Sequence, residues 1–137
     1  IMSKSNAFEN DLLLKVFQDT AFSWDAITDL FLALHSADPG EAGNQTTNEV
    51  AYGSYARVTI ARDATGWDVV GPVASNDDLA QFPQASSGSV TATHVSIGTL
   101  VSGAGEILYS GALNSSLPIA TGIQPQFAAG ALTVTED

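Results

Sequence analysis

Residues 55–62 read YARVTIAR, and this octapeptide decides the fold class. Ala56, Val58 and Ile60 fall on one side and Tyr55, Arg57 and Thr59 on the other, the period of two that marks a half-buried antiparallel strand. A helix would need its apolar positions three and four apart. The next four residues, DATG at 63–66, predict a hairpin turn leading into Trp67.

The same texture recurs through residues 27–137, where short β-rich runs alternate with Gly, Pro, Asn, Asp and Ser. Eight strands are expected, at 30–35, 55–62, 67–70, 73–82, 90–98, 106–113, 117–121 and 132–135. The fold class is therefore mainly β, an antiparallel β-sandwich with one N-terminal α-helix. A jelly-roll-like arrangement best accommodates long cross-connections, with an Ig-like sandwich or a small barrel as alternatives. Val58, Ile60, Trp67, Val95, Ile97, Ile107 and Tyr109 are the predicted core.

Upstream, NAFENDLLLKVFQD at 6–19 carries the one good helix signal. Phe8, Leu12, Leu13, Val16 and Phe17 lie close to helical spacing, and Asn6 with Glu9 is arranged as a capping box. Residues 1–26 thus form a helical segment, packed on the sandwich or exchanged between subunits, and residues 27–137 form the sandwich domain.

The chain has 137 residues, enough for one domain with a real core. It has no cysteine, so disulfides, thiolate metal sites and a Cys nucleophile are excluded. Four basic residues against fifteen acidic ones give a formal net charge of -11. Lys4, Lys15, Arg57 and Arg62 are too scattered to neutralise a phosphate backbone, so no nucleic-acid partner is expected. No apolar run approaches the roughly 20 residues that span a bilayer, and no signal peptide is read, so no membrane partner is expected and export by the general secretory route is not indicated.

Candidate chemistry is sparse. His35 and His94 stand alone, without a G-x-S-x-G elbow, and are expected to be satisfied imidazoles rather than parts of a triad. DPGE at 38–41 and the pair Asp77 and Asp78 contain oxygen ligands, but not at the spacing of a calcium loop. Glu49, Asp68 and Glu106 lack the aromatic platform that accompanies glycosidase carboxylates. No catalytic residue, cofactor or metal is predicted.

The long polar segment 36–54 is the remaining feature. Hairpin connections need only about two to five residues. The segment is expected to be either a crossover loop or an arm that orders on a neighbouring subunit, with Asp38, Pro39, Glu41, Asn44, Gln45 and Glu49 in contact there. Phe8 and Leu12 would supply contacts from the helix.

Several stretches together carry a family likeness: FENDLL near the start, LHSADPGEAGNQTTNEVAYGSYARVTIAR at 34–62, GW at 66–67, FP at 82–83, THVSIG at 93–98 and GAGEILYSGAL at 103–113. The chain resembles a family of small tailed-bacteriophage virion proteins, capsid cement (decoration) proteins that are also loosely labelled tail-fibre proteins. That resemblance implies a structural protein made in the bacterial host cytoplasm. It would act as a homotrimer on the exterior of the phage head, where it binds and stabilises junctions of the major capsid protein. A tail-associated adhesin or receptor-binding module is the alternative.

Overall fold

The computed structural model describes residues 2–137. In chain order the elements are β1 (Ser3–Lys4), α1 (Asn6–Gln18), β2 (Asp29–His35), β3 (Val58–Ala61), β4 (Trp67–Val70), β5 (Val73–Asn76), β6 (Ala80–Gln81), β7 (Ser89–Gly98), β8 (Ile107–Ala120), β9 (Gln126–Phe127) and β10 (Thr133–Thr135). The strands form a five-stranded sheet in the order β1-β8-β7-β2-β3, a three-stranded sheet β10-β5-β4 and a two-stranded ribbon β6-β9, with every pairing antiparallel. The mainly β, sandwich-like architecture is the one the strand periodicity predicts.

The main core lies under the large sheet. Leu32, Leu34, Val95, Ile97 and Ile119 meet Phe82, Ala80, Leu132 and Val134 there, all of them buried. Of the predicted core, Val95, Ile97 and Ile107 are buried, while Val58, Ile60, Trp67 and Tyr109 pack against the cluster at its margin. For Val58, Ile60 and Trp67 the margin position follows from β3 and β4 being edge strands, each paired on one side only.

Three local expectations are corrected. Residues 63–66 do turn, with Gly66 and Trp67 N–H both donating to the Asp63 carbonyl, but the turn carries the chain from one sheet to the other and makes no hairpin. The two strands expected at 106–113 and 117–121 are one, β8, because β7 pairs with both halves of it. The polar NSS break survives as a bulge, with 113–116 standing out where the pairing jumps from Ala92–Leu117 to His94–Ala112. Finally, Ser5 caps α1 in place of Asn6, its Oγ accepting from Phe8 N–H at 3.2 Å. The Asn6 N–H is taken instead by the Glu41 carbonyl at 2.9 Å.

α1 rests on the large sheet through a second apolar cluster. Phe8 and Trp24 are buried against Leu108, with Phe22, Leu12 and Tyr109 around them. The Phe8 ring meets Tyr109 edge-on at 5.3 Å, and Phe22 stacks on Trp24 at 4.5 Å. Only part of the helical stripe is used in this way. Leu13, Val16 and Phe17 are 59%, 70% and 78% exposed, so an apolar face is left bare on an otherwise docked helix.

Candidate functional site

Residues 36–57 join β2 to β3, which are hydrogen-bonded neighbours with Leu32 opposite Val58. The segment is thus an excursion between paired strands, and it is folded onto its own chain. Gln45 is its anchor. The side chain is fully buried, its Nε2 donates to the Leu100 carbonyl at 3.2 Å, and its Oε1 accepts from Leu100 N–H at 2.9 Å. Gln45 N–H donates in turn to the Gly105 carbonyl at 2.9 Å. Glycine is required at Gly98, because a Cβ there would lie 2.2 Å from Gln45 Cδ.

A second anchor comes from His35, buried at the end of β2. Its Nδ1 is 2.8 Å from the Thr47 carbonyl and its Nε2 is 2.7 Å from Ser96 Oγ. The carbonyl can only accept, so Nδ1 carries the proton and Nε2 accepts from the serine. Burial pushes the His35 pKa down, against an upward pull from the Thr47 hydrogen bond, and the neutral ring suits both bonds. A histidine next to a serine suggests nucleophilic chemistry, but both side chains are wholly enclosed and the third partner is a carbonyl, not a carboxylate. No substrate can reach Ser96, and the pair acts as a clamp on the loop.

The third anchor is ionic. The Arg57 guanidinium meets Glu49 at two points and also donates to the carbonyls of Leu100 and Gly103. Tyr55 Oη donates to Glu49 Oε1 at 2.8 Å, and burial followed by that carboxylate pushes the phenol pKa strongly up. Arg57, one residue before β3, is buried because the loop folds over it.

The expected contact residues therefore divide. Asp38 and Glu41 are exposed, and Asn44 is half-buried with Oδ1 accepting from Thr46 N–H. Pro39 and Gln45 are buried, and Glu49 is held by Arg57, so these three are parts of the framework and present little to a neighbour. Phe8 is likewise buried and Leu12 half-buried. Within the single chain, residues 36–57 are packed on their own sheet through buried polar anchors. The outward residues on α1 are Leu13, Val16 and Phe17, whose helical spacing was visible but whose bare side was not.

The other polar features point the same way. Glu106 sits beside Asp11 at the base of α1, and burial, then the neighbouring carboxylate, lifts its pKa to about 7. The Trp24 indole faces that carboxyl, yet Trp24 Nε1 and Glu106 Oε1 are both buried without a hydrogen bond of good geometry. All four basic side chains have ionic partners: Lys4 with Glu136, Lys15 with Asp19, Arg57 with Glu49 and Arg62 with Asp25. The net charge of -11 is thus carried by carboxylates with no cation of their own chain beside them. Among the described residues no group of three or more His, Asp or Glu is placed to hold a metal ion, and no helix is long and apolar enough to cross a membrane.

A family model described as podophage GP4 fiber I protein gp80 matches residues 3–135. The chain belongs to this family. No curated protein matches it. A Gp80-family chain is a phage virion protein, in agreement with the resemblance carried by residues 34–62 and 103–113. The match runs from β1 to β10, so the framework of loop anchors and the bare face of α1 both lie within the family's extent.

Proposed function

We propose that this protein is a structural subunit of the phage tail-fibre apparatus, one that joins other virion proteins by surface contact. The observation that carries this reading is the bare Leu13, Val16 and Phe17 face of α1, presented on a helix that Phe8 and Trp24 fix to the sandwich. A rigid exposed apolar face of this kind marks a protein contact. The family's fiber description supports the tail as its place. A receptor-binding tip is less well supported, because Trp24 is buried and the two rings that line the cleft beside β4, Trp67 and Tyr109, are half-buried among aliphatic groups.

Capsid cement on the head exterior, with the major capsid protein as partner, is the second reading. The exposed carboxylates Asp38, Glu41, Asp63, Asp77 and Asp78 favour it to the extent that capsid subunits present basic patches. In either place we propose a homotrimer, since three-fold symmetry lets one apolar face serve three times. Cryo-EM of the parent virion tests the placement. Density for this fold at the tail supports the first reading, density at three-fold junctions of the head supports the second, and absence from the virion overturns both.

A further inference from the structure

At the outer edge of β4, unpaired backbone, an apolar receptacle and unneutralised carboxylates coincide. β4 pairs with β5 alone, in the register Trp67–Asn76, Asp68–Ser75, Val69–Ala74 and Val70–Val73. Asp77 N–H donates to the Gly66 carbonyl, which makes 66/77, 68/75 and 70/73 the hydrogen-bonded pairs. The backbone groups of Trp67 and Val69 therefore point outward. Trp67 N–H is taken by the Asp63 carbonyl, so the Trp67 carbonyl and both groups of Val69 are left unpaired. Gly71, at φ 59, and Pro72 close the hairpin tip and cover none of this edge.

Beside the edge lies an apolar cleft of about 290 Å³, walled by Leu30, Trp67, Val69, Val73, Tyr109 and Val134. Trp67 and Val69 share its face of the strand, and Asp68 and Val70 share the other. Val69 and Val70 are 67% and 69% exposed. A bare edge with apolar side chains on both faces is a template for strand addition, in which main-chain bonds hold the incoming segment and pockets take its alternate side chains.

Charge selects the occupant. No lysine or arginine follows Arg62 in the chain, while Asp63, Asp68, Asp77 and Asp78 cluster along β4 and the end of β5. Lys4, near the far end of the cleft, is already tied to Glu136. A second copy pairing edge to edge would set these carboxylates against their own counterparts, a like-charge juxtaposition that opposes self-association. An extended segment alternating basic and apolar side chains meets the opposite situation. We infer that β4 is a docking strand for a basic, extended segment of another virion protein, which adds to its free edge and places an apolar side chain in the cleft beside Trp67. This rests on the reading of the chain as a virion contact protein, and it names the chemistry of one partner.

The test uses the full chain in solution, so its failure is separable from any error in tail or head placement. An acetylated, amidated hexapeptide alternating lysine and valine is titrated into the protein, with a glutamate–valine peptide as control, and backbone amides are followed by NMR and hydrogen exchange. The expected result is saturable binding of the lysine peptide with shift and slowed exchange at Val69. Val69→Pro removes an outward donor that no ladder bond uses and should abolish binding, since proline is tolerated on such edges. Asp68→Asn with Asp77→Asn should weaken binding by about tenfold without touching the backbone. The inference is overturned by no binding at millimolar peptide, by equal binding of the glutamate peptide, or by shifts confined to α1. Unchanged affinity in both variants overturns it as well. Dissociation of a self-associated species by Val69→Pro would assign the edge to a second copy, and that also overturns it.

Discussion

Arg57 holds Glu49 by a fork, Nε to Oε1 and Nη2 to Oε2 at 2.8 Å each, with the Arg57 side chain 3% exposed and that of Glu49 15%. The same guanidinium reaches the carbonyls of Leu100 and Gly103, so one side chain binds the 36–57 excursion to the β7–β8 turn. Removing one partner leaves the other charge buried. Glu49→Gln and Arg57→Leu should each lower unfolding free energy by about 3 kcal/mol, and the double variant should cost less than the two together. Urea denaturation of the three variants checks this; full additivity would show that the pair is uncoupled.

Protonation acts on stability in two opposite directions. His35 is held below its ordinary 6.5 by burial, so the unfolded chain takes up a proton the folded chain refuses. Its contribution is complete above 6.5 and is lost as pH falls through that value toward the lower folded one. Glu106 is raised from 4.5 to about 7, first by burial and then by Asp11, so its contribution is complete below 4.5 and is lost as pH rises through about 7. Glu106→Gln should therefore stabilise the protein at pH 8, by about 1 kcal/mol once partial solvation of the group is allowed for, and change little at pH 4. His35→Gln should remove part of the loss on acidification from pH 7.5 to 5. Denaturation midpoints across this range provide the measurement.

Close approach of the loop to the sheet makes Gly98 and Gln45 a coupled pair. A Cβ at Gly98 would meet the Gln45 side chain at 2.2 Å, and one at Gly105 would meet Gln45 Oε1 at 2.0 Å. Gly98→Ala should cost about 2 kcal/mol, and Gln45→Ala in the same chain should recover part of it. Deleting residues 38–48 removes Gln45, Pro39 and the Thr47 carbonyl that satisfies His35, so the sandwich should unfold. A folded deletion variant by circular dichroism would contradict the anchoring described above.

The two sides of α1 should behave differently. Phe8→Ala opens the cluster with Trp24 and Leu108 and should cost about 3 kcal/mol. Val16→Ser with Phe17→Ser touches side chains 70% and 78% exposed, and monomer stability should shift by no more than about 0.5 kcal/mol. If α1 joins three copies, the same pair should convert a trimer to monomers in sedimentation. A trimer that survives places the interface elsewhere.

The sandwich was legible because strand formation is announced locally. YARVTIAR alternates, THVSIG supplies Val95 and Ile97 to the core, and the apolar inward set of each strand is fixed by a period of two residues. The helix was legible for the same reason, to within the one residue that separates its cap, Ser5, from the expected Asn6. The two-residue strands β1 and β9 carry no periodicity and left no signal; only their partners on β8 and β6 create them.

The sequence by itself determined the class of structure and its inventory of reactive groups: no cysteine, two isolated histidines, and carboxylates in excess of cations by eleven. Tertiary structure decided which surfaces are available. Gln45 and Leu100 are separated by 55 positions, and nothing local distinguishes a polar side chain that will be buried against backbone from one that will face water. Whether Phe8 or Phe17 is the buried aromatic of α1 depends on where Leu108 and Trp24 lie beneath the helix, a long-range fact that helical spacing alone does not contain. The bare edge of β4 has the same origin, since a strand is an edge only by virtue of the neighbours that the rest of the chain does not supply.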